Sequence, residues 1–306
     1  MNPKLTSIDE EFLEFVGKQE SQYLMTKDTW RDDVKTRLGG EMGLFGDCLP
    51  WGKTHDKVRL RPGEVSIWAG INGHGKSQIS GMAALWLSPH SKVLIASLEM
   101  KPAATLERMV RQASGLRQPA EKYIDSFFDK YTENVWIYDQ LDTVESNRII
   151  AMLHYAAQKL GVKHIFIDSL MKCGVGPELH QQKEFVDRLC WVAQAENIHI
   201  HLIHHMRKGE KEEHRPGKFD VRGASEVVDL ADNLFIMWRN KAKENTIRKG
   251  NDPEPGTPDS VLAVAKQRHG EWEGDIMLWF DPDSQQFVPG ENMGAMPWPN
   301  PEERYI

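Results

Sequence analysis

Cysteine is scarce in this chain. Its 306 residues hold only Cys48, Cys173 and Cys190, an odd number without C-x-x-C spacing. That argues against a disulfide framework and against structural zinc, and points to a reducing, cytoplasmic compartment. Long apolar runs are missing too. No stretch reaches the ~20 residues of a membrane span, and the first residues lack the apolar region of a signal peptide, so no membrane contact is expected. Positive charge is not in excess: the net charge is −7. A basic nucleic-acid coat protein is thereby excluded, and any polyanion must be met by a local patch. There is no internal repeat and no low-complexity tract.

What is present centres on residues 64 to 78. The apolar run Val65 to Ala69 reads as a buried strand. It empties into Gly70-Ile71-Asn72-Gly73-His74-Gly75-Lys76-Ser77, which fits G-x-x-x-x-G-K-[ST] at every fixed position, and a small-residue helix follows over Ile79 to Leu87. Gly70, Gly73 and Gly75 permit backbone conformations in which successive N–H groups face phosphate oxygens, and the helix start adds its positive dipole end. In this reading Asn72, His74 and Gln78 flank the phosphates, Lys76 reaches the β- and γ-phosphates, and Ser77 suits a magnesium ligand. The competing reading is a glycine-rich turn that happens to precede Lys-Ser. The correct flanks on both sides favour a nucleoside-triphosphate site for ATP or another NTP with Mg²⁺.

From Glu64 onward strands and helices alternate, which predicts an α/β fold: a mostly parallel central sheet with helices on both faces and a C-terminal β-hairpin. Strands are expected over 92–97, 134–141, 164–169, 198–205, 234–238 and 260–267. Helices are expected over 102–114, 143–160 (with Thr143 as N-cap), 183–196 and 223–232, and a hairpin over 276–288 that turns at Asp281-Pro-Asp-Ser. Residues 240 to 259, charged and rich in Pro and Gly, read as a mobile loop. Three parts follow: an N-terminal arm with a linker helix over 1–59, the ATPase domain over 60–289, and a flexible acidic and aromatic tail over 290–306. Within the arm, Ile8 to Phe15 and the triad Trp30, Val34, Leu38 predict two short helices. Each is too short to stand alone in water, so the arm folds back on its own domain or docks on a neighbouring subunit.

Several side chains could carry chemistry. Asp168 ends the fourth strand, beside the phosphate loop, where a carboxylate can support Mg²⁺. Glu99 ends the second strand, expected next to the first, where it can orient and deprotonate the attacking water; Asp139 and Asp142 are lesser rivals. His205, at the tip of the fifth strand, can hydrogen-bond the γ-phosphate and move when it leaves. His199, His201, His204 and His205 could suggest a metal cluster, but strand alternation turns neighbours to opposite faces. The segment 207–222 holds Arg207, Lys208, Lys211, Arg215, Lys218 and Arg222 among acids, either a solvated charged loop or a grip on a phosphate backbone. Lys266 and Arg268, where a strand leaves the sheet, are either surface cations or groups delivered across a subunit boundary.

In this order, the phosphate loop, Ser97-Leu98-Glu99-Met100, Phe166-Ile167-Asp168-Ser169, His204-His205-Met206-Arg207-Lys208, Asp220-Val221-Arg222-Gly223-Ala224-Ser225 and Lys266-Gln267-Arg268-His269-Gly270 resemble the RecA-like motor domain of DnaB-type hexameric replicative helicases. The phage primase-helicase and Twinkle branch is the nearer flavour, because His205 stands where bacterial members usually carry glutamine. The resemblance spans 60–289, with the Ser-Leu-Glu-Met and Lys-Gln-Arg-x-Gly segments as its discriminating parts. It implies an ATP-dependent helicase, a homo-oligomeric and usually hexameric ring moving 5′→3′ on single-stranded DNA, in the host cytoplasm if phage-encoded. It further implies that Lys76 and Ser77 bind phosphate and Mg²⁺, Glu99 is the base, Asp168 supports the metal and His205 senses the γ-phosphate. Lys266 and Arg268 then act in trans, and the loops from Lys172 and after His205 hold DNA. Residues 25 to 40 match a linker helix that docks on the next subunit. Too few residues precede residue 60 to hold a primase or collar domain, and the termini are expected to meet a primase, polymerase or loader. The alternatives are a RecA-like recombinase that forms filaments on DNA and a RecA-like ATPase that acts on a protein.

Overall fold

The computed structural model describes residues 26–38, 45–176, 178–206, 214–221, 224–296 and Trp298. The chain divides into two units, one ending at Phe45 and one beginning at Gly46. In the first, a 3₁₀ turn (Lys27–Trp30) leads into α1 (Arg31–Leu38), as the spacing of Trp30, Val34 and Leu38 predicts. All three apolar side chains are exposed there. The helix expected over Ile8 to Phe15 lies outside the described residues.

The second unit is built on nine described strands in the order β3-β2-β4-β5-β1-β6-β7-β8-β9. These are β1 (Val65–Gly70), β2 (Val93–Ser97), β3 (Val135–Ile137), β4 (His164–Asp168), β5 (His199–His205), β6 (Asn233–Arg239), β7 (Ser260–Gln267), β8 (Gly274–Asp281) and β9 (Gln286–Val288). Pairing is parallel from β3 through β6 and antiparallel from β6 to β9. The helices are α2 (Lys76–Leu87), α3 (Pro102–Ser114), α4 (Glu121–Ser126), α5 (Ser146–Tyr155), α6 (Leu179–Glu196), α7 (Ala224–Leu230) and α8 (Lys241–Arg248).

Both faces of the sheet are covered, and period-two alternation sorts the side chains between them. On one face Val65, Ile67 and Ala69 of β1 pack with Ile149 and Leu153 of α5, Phe185 and Leu189 of α6, and Val227 of α7. On the other, Trp68 joins Ile79 and Met82 of α2, Met109 of α3, and Leu262 of β7. Residues 46–58, expected to belong with the arm, enter this second core through Leu49, Trp51 and Val58, each fully buried. Burying two large aliphatic side chains and a tryptophan supplies several kcal/mol, roughly 1.5–3 each, which is why the segment stays with the sheet. At the other end, Met296 donates its N–H to Gln286 across 2.7 Å, and Trp298 packs edge-on to Trp86. The part of the tail described thus packs on the domain.

Several expectations need correction. Glu99 was expected on a strand next to the first, but β2 pairs with β3 and β4, and β4 and β5 separate it from β1. The strand expected over 134–141 stops at Ile137, because the chain then hydrogen-bonds one residue at a time to Ile95 and Leu98 rather than in a ladder. The helix expected from Thr143 starts at Ser146, since Val144 N–H is taken by the carbonyl of Lys172. The presumed loop 240–259 contains α8, whose first turn is capped by the Asn240 side chain accepting from Lys243 N–H at 3.0 Å. A second helix, α4, was not anticipated. No helix among the described residues is long and apolar enough to cross a membrane.

Candidate nucleotide site

The register of the parallel strands gathers the site. Gly70 of β1 stands opposite His205 of β5, and Ser97 of β2 opposite Asp168 of β4. The phosphate loop, Glu99, Asp168 and His205 therefore emerge together at the carboxyl edge of the sheet, where open α/β sheets place ligands. A cleft of about 1400 Å³ opens there, lined by Lys76, Ser77, Glu99, Arg108, Asp168 and His205 among others.

The loop is shaped by what its glycines avoid. A Cβ on Gly70 would lie 2.7 Å from the carbonyl oxygen of Met237 in β6. Gly75 holds φ at +90°, and a Cβ there would lie 2.9 Å from the ring of Phe287 in β9. Of the first N–H groups of α2, those of Gln78 and Ile79 donate to the Gly75 carbonyl, while helix geometry leaves those of Lys76 and Ser77, two residues that line the cleft, without an acceptor in the helix. Lys76, the first residue of α2, is buried and donates to the Ile71 carbonyl across 3.2 Å. Burial depresses its pKa, while the carboxylates of Asp168 and Glu99 oppose that. A buried ammonium has three donors to satisfy, and phosphate oxygens at this position would satisfy them. The Ser77 hydroxyl hydrogen-bonds the Asp168 carboxyl, whose pKa burial raises against that bond. An oxygen pair of hydroxyl and carboxylate is the donor set a magnesium ion prefers.

Glu99 accepts from the Ser169 hydroxyl at 2.6 Å and lies 3.6 Å from Nε2 of His205. The His205 imidazole first, and then Ser169, hold its carboxyl down at about 2. Glu99 is thus ionised and restrained. His74 lies on the far side of the loop. Its Nδ1 accepts from Arg239 N–H at 3.2 Å, and burial, aided by Lys241 and Lys76, lowers its pKa to about 4. A smaller cavity of about 290 Å³ flanks the loop there, with Arg239, Asp259, Phe280 and Phe287 in its wall.

Sequence reasoning missed two participants and underrated a third. Arg108 projects into the cleft from α3, its pKa lowered by burial with Asp168 countering. Its signal was helical spacing: a residue two turns into a helix that begins just after Glu99 comes back toward the strand ends. Ser169 had no signal beyond following Asp168. Asp142, ranked below Glu99, also lines the cleft, whereas Asp139 is not among its walls.

Other predicted residues lie elsewhere. Lys172, expected on a DNA loop, lines the nucleotide cleft. Arg215 is engaged by both oxygens of Asp275 and lies 5.9 Å over the Trp238 ring. Lys218 is exposed on a 3₁₀ turn, Lys218–Asp220. Arg207, Lys208, Lys211 and Arg222 lie outside the described residues. Lys266 and Arg268 meet at the carboxyl end of α7, away from the cleft of their own chain. Lys266 Nζ donates to the carbonyls of Val228, Asp229 and Ala231. Arg268 donates to those of Asp229 and Leu230 and pairs with Asp232 at 3.0 Å.

Two of the β5 histidines, His199 and His201, are spent in hydrogen bonds at the opposite end of the strands. Trp68 donates to Nδ1 of His201, Nε2 of His201 lies 3.2 Å from Nδ1 of His164, and Nε2 of His164 lies 2.8 Å from Asp47. His199 is held between Ser66 and the Arg61 carbonyl.

With this geometry in hand, comparison with known proteins is informative. The model of the DnaB-like helicase C-terminal domain matches residues 57–289. A DNA helicase/primase of Enterobacteria phage T3 is 25% identical over 239 residues, which cover 69% of this chain and 42% of that protein. The chain thus spans under half the length of that relative. Among solved structures, the ATPase domain of G40P superposes with a TM-score of 0.74 at 16% identity, covering 87% of this chain and 99% of that one. A DnaB-like replicative helicase, studied for its interactions with primase, gives 0.69 at 16% identity, covering 86% and 66%. The fold is therefore the α/β one expected from the alternation of strands and helices, and the RecA-like one that the resemblance implied.

Proposed function

The chain belongs to the DnaB-like helicase C-terminal domain family, and on that footing we propose that it is an ATP-driven motor that moves 5′→3′ along single-stranded DNA as a ring. The observation that carries the reading is the convergence of Lys76, Ser77, Glu99, Asp168 and His205 on one cleft, while Lys266 and Arg268 stand outside it. The first group suffices to hold and attack a triphosphate. The second, outside that cleft, would act on the triphosphate of another copy.

In this reading Lys76 and the N–H groups opening α2 bind the β- and γ-phosphates of ATP or another NTP. Ser77 and Asp168 would hold Mg²⁺, which when bound supplies positive charge against the phosphate oxygens. The nucleoside extends past His74 toward Arg239 and Phe280, whose cavity has planar and cationic walls. Glu99 orients the attacking water and takes its proton. For that it must leave Ser169, and His205 is the group placed to release it, because one imidazole can bond either the carboxylate or the γ-phosphate. Arg268 of a neighbouring copy would then stabilise the transferring phosphoryl group, worth roughly 10³–10⁵ in rate. In its own chain the arginine bonds the carbonyls of Asp229 and Leu230 and pairs with Asp232, contacts it would exchange in part for phosphoryl oxygens.

Lys218 and the basic residues outside the described segments, Arg207, Lys208, Lys211 and Arg222, supply the phosphate grip on DNA, whereas Lys172 lines the nucleotide cleft. Arg215 contributes by anchoring the loop to Asp275. The arm, with the exposed Trp30, Val34 and Leu38 of its linker helix, docks on the adjacent subunit. A primase, polymerase or loader would be met through the termini.

Nucleotide hydrolysis measured with and without single-stranded DNA, alongside the mass of the assembly, tests the reading. Stimulation of hydrolysis by the strand, together with a closed ring of defined mass, is the expected result. A monomer that hydrolyses ATP at full rate regardless of DNA would refute it. Filaments in place of rings would favour a recombinase.

A further inference from the structure

The turn that follows β5 carries Phe219 with 88% of its surface exposed, between Lys218 and Asp220. A phenylalanine held in water forfeits the burial that normally justifies it. A slack loop would fold the ring onto the nearest apolar surface, but this turn is pinned on both sides. On the leading side, Arg215 binds both oxygens of Asp275 in β8 and lies over Trp238 of β6. On the trailing side, Val221 is fully buried and bridges to Met206, the residue after His205. Within the turn, Asp220 accepts from Gly217 N–H at 2.7 Å, and its own N–H returns to the Gly217 carbonyl at 3.1 Å. The ring is thus presented on a fixed support, one bridge away from the strand that ends at the candidate nucleotide cleft.

We propose that Phe219 is a stacking platform for one unpaired base of the DNA strand, with Lys218 beside it on the adjoining phosphate. The proposal rests on the single-stranded DNA reading above and adds to it a contact with the bases themselves. The chemistry favours a nucleobase over an apolar partner surface. The exposed ring sits in sequence between the charged Lys218 and Asp220, and a flat π-face beside a cation is what a base and its phosphate require. Such stacking tolerates any sequence, because every base has a π-face. The Met206–Val221 β-bridge gives a short hydrogen-bonded path from His205 to the platform, so a shift at the strand tip when the γ-phosphate leaves is passed to the stacked base.

The test compares two oligonucleotides of equal length and charge, one of thymidines and one abasic throughout. Binding of the full chain is measured at one salt concentration with a non-hydrolysable ATP analogue. Wild type should prefer the thymidine strand. Phe219→Leu should weaken thymidine binding about tenfold and leave abasic binding unchanged, while Phe219→Trp should keep the preference. Equal loss on both strands, or a change in assembly mass on Phe219→Leu, would mean that the ring supports the loop or a subunit contact, and would overturn the proposal. So would a Phe219→Leu variant indistinguishable from wild type. If wild type binds neither strand, the DNA reading itself falls, an outcome distinct from failure at Phe219 alone.

Discussion

The hydroxyl of Ser169 donates to Oε1 of Glu99 across 2.6 Å, so the candidate base is restrained by the residue that follows the candidate metal-supporting aspartate. With His205 as the larger contributor, the contact keeps the Glu99 carboxyl ionised, down to about 2. A base needs to be ionised, so this depression moves the acid limb of activity far below neutral pH. Ser169→Ala removes one donor and must raise that pKa. The limb of kcat/KM should move up from about 2 toward the ordinary carboxylate value, so the two profiles should separate below pH 5. Glu99→Gln should lower kcat by roughly 10²–10⁴ with nucleotide binding retained. Superimposable pH profiles for wild type and Ser169→Ala would remove the serine from the account.

Lys76 is a buried cation whose proper partners are phosphates. Lys76→Ala should cut hydrolysis by about 10²–10³ and raise the Kd for nucleotide, without lowering the thermal midpoint, because a desolvated charge is removed along with its one carbonyl contact. Calorimetry with a nucleotide analogue and a melting curve check both halves.

Arg268 has two jobs in this reading, one in its own chain and one across a boundary. Its pairing with the buried Asp232 means that Arg268→Ala costs stability of roughly 1–2 kcal/mol, so Arg268→Lys is the control that keeps the charge. Arg268→Ala and Glu99→Gln should each be nearly inactive alone. Mixed with subunit exchange, they should regain part of the ATPase, since some interfaces then join an intact base to an intact arginine. Exchange demonstrated without recovery would confine the arginine to its own chain.

Three histidines make the domain acid-sensitive. Burial lowers His74 to about 4, His199 to about 3 and His201 well below its usual value, while in the unfolded chain each returns to about 6.5. Between those limits the unfolded state binds more protons. Stability is therefore complete above pH 6.5 and falls as the pH drops, by about 1 kcal/mol per histidine per pH unit. Denaturant midpoints at pH 7, 6 and 5 should show the decline, and His199→Gln should flatten it. A midpoint constant from pH 7 to 5 would contradict the buried, neutral assignment.

Residues close together in sequence were legible from the sequence. A phosphate loop is a run of consecutive residues whose conformation depends on its own glycines, so residues 70–77 and the strand and helix around them could be read directly. The parallel strands could be read because burial on both faces leaves continuous apolar runs, and the edges of α3 and β7 agreed with the structure to the residue. Capping was less legible: α8 hid in a polar segment because its support is the Asn240 cap, not an apolar stripe.

What separates in sequence but meets in space was decided by the tertiary structure alone. The crossovers set the strand order, and with it the distance from Glu99 to the phosphate loop; no periodicity within a strand carries that information. Register brought Gly70 beside His205 and Ser97 beside Asp168, and packing turned Arg108 inward and tied Arg215 to Asp275. A cation's availability depends on which carboxylate the fold sets against it, and that neighbour comes from a strand 60 residues further along the chain. Local chemistry wrote the phosphate loop; only the closing of the sheet could choose its companions.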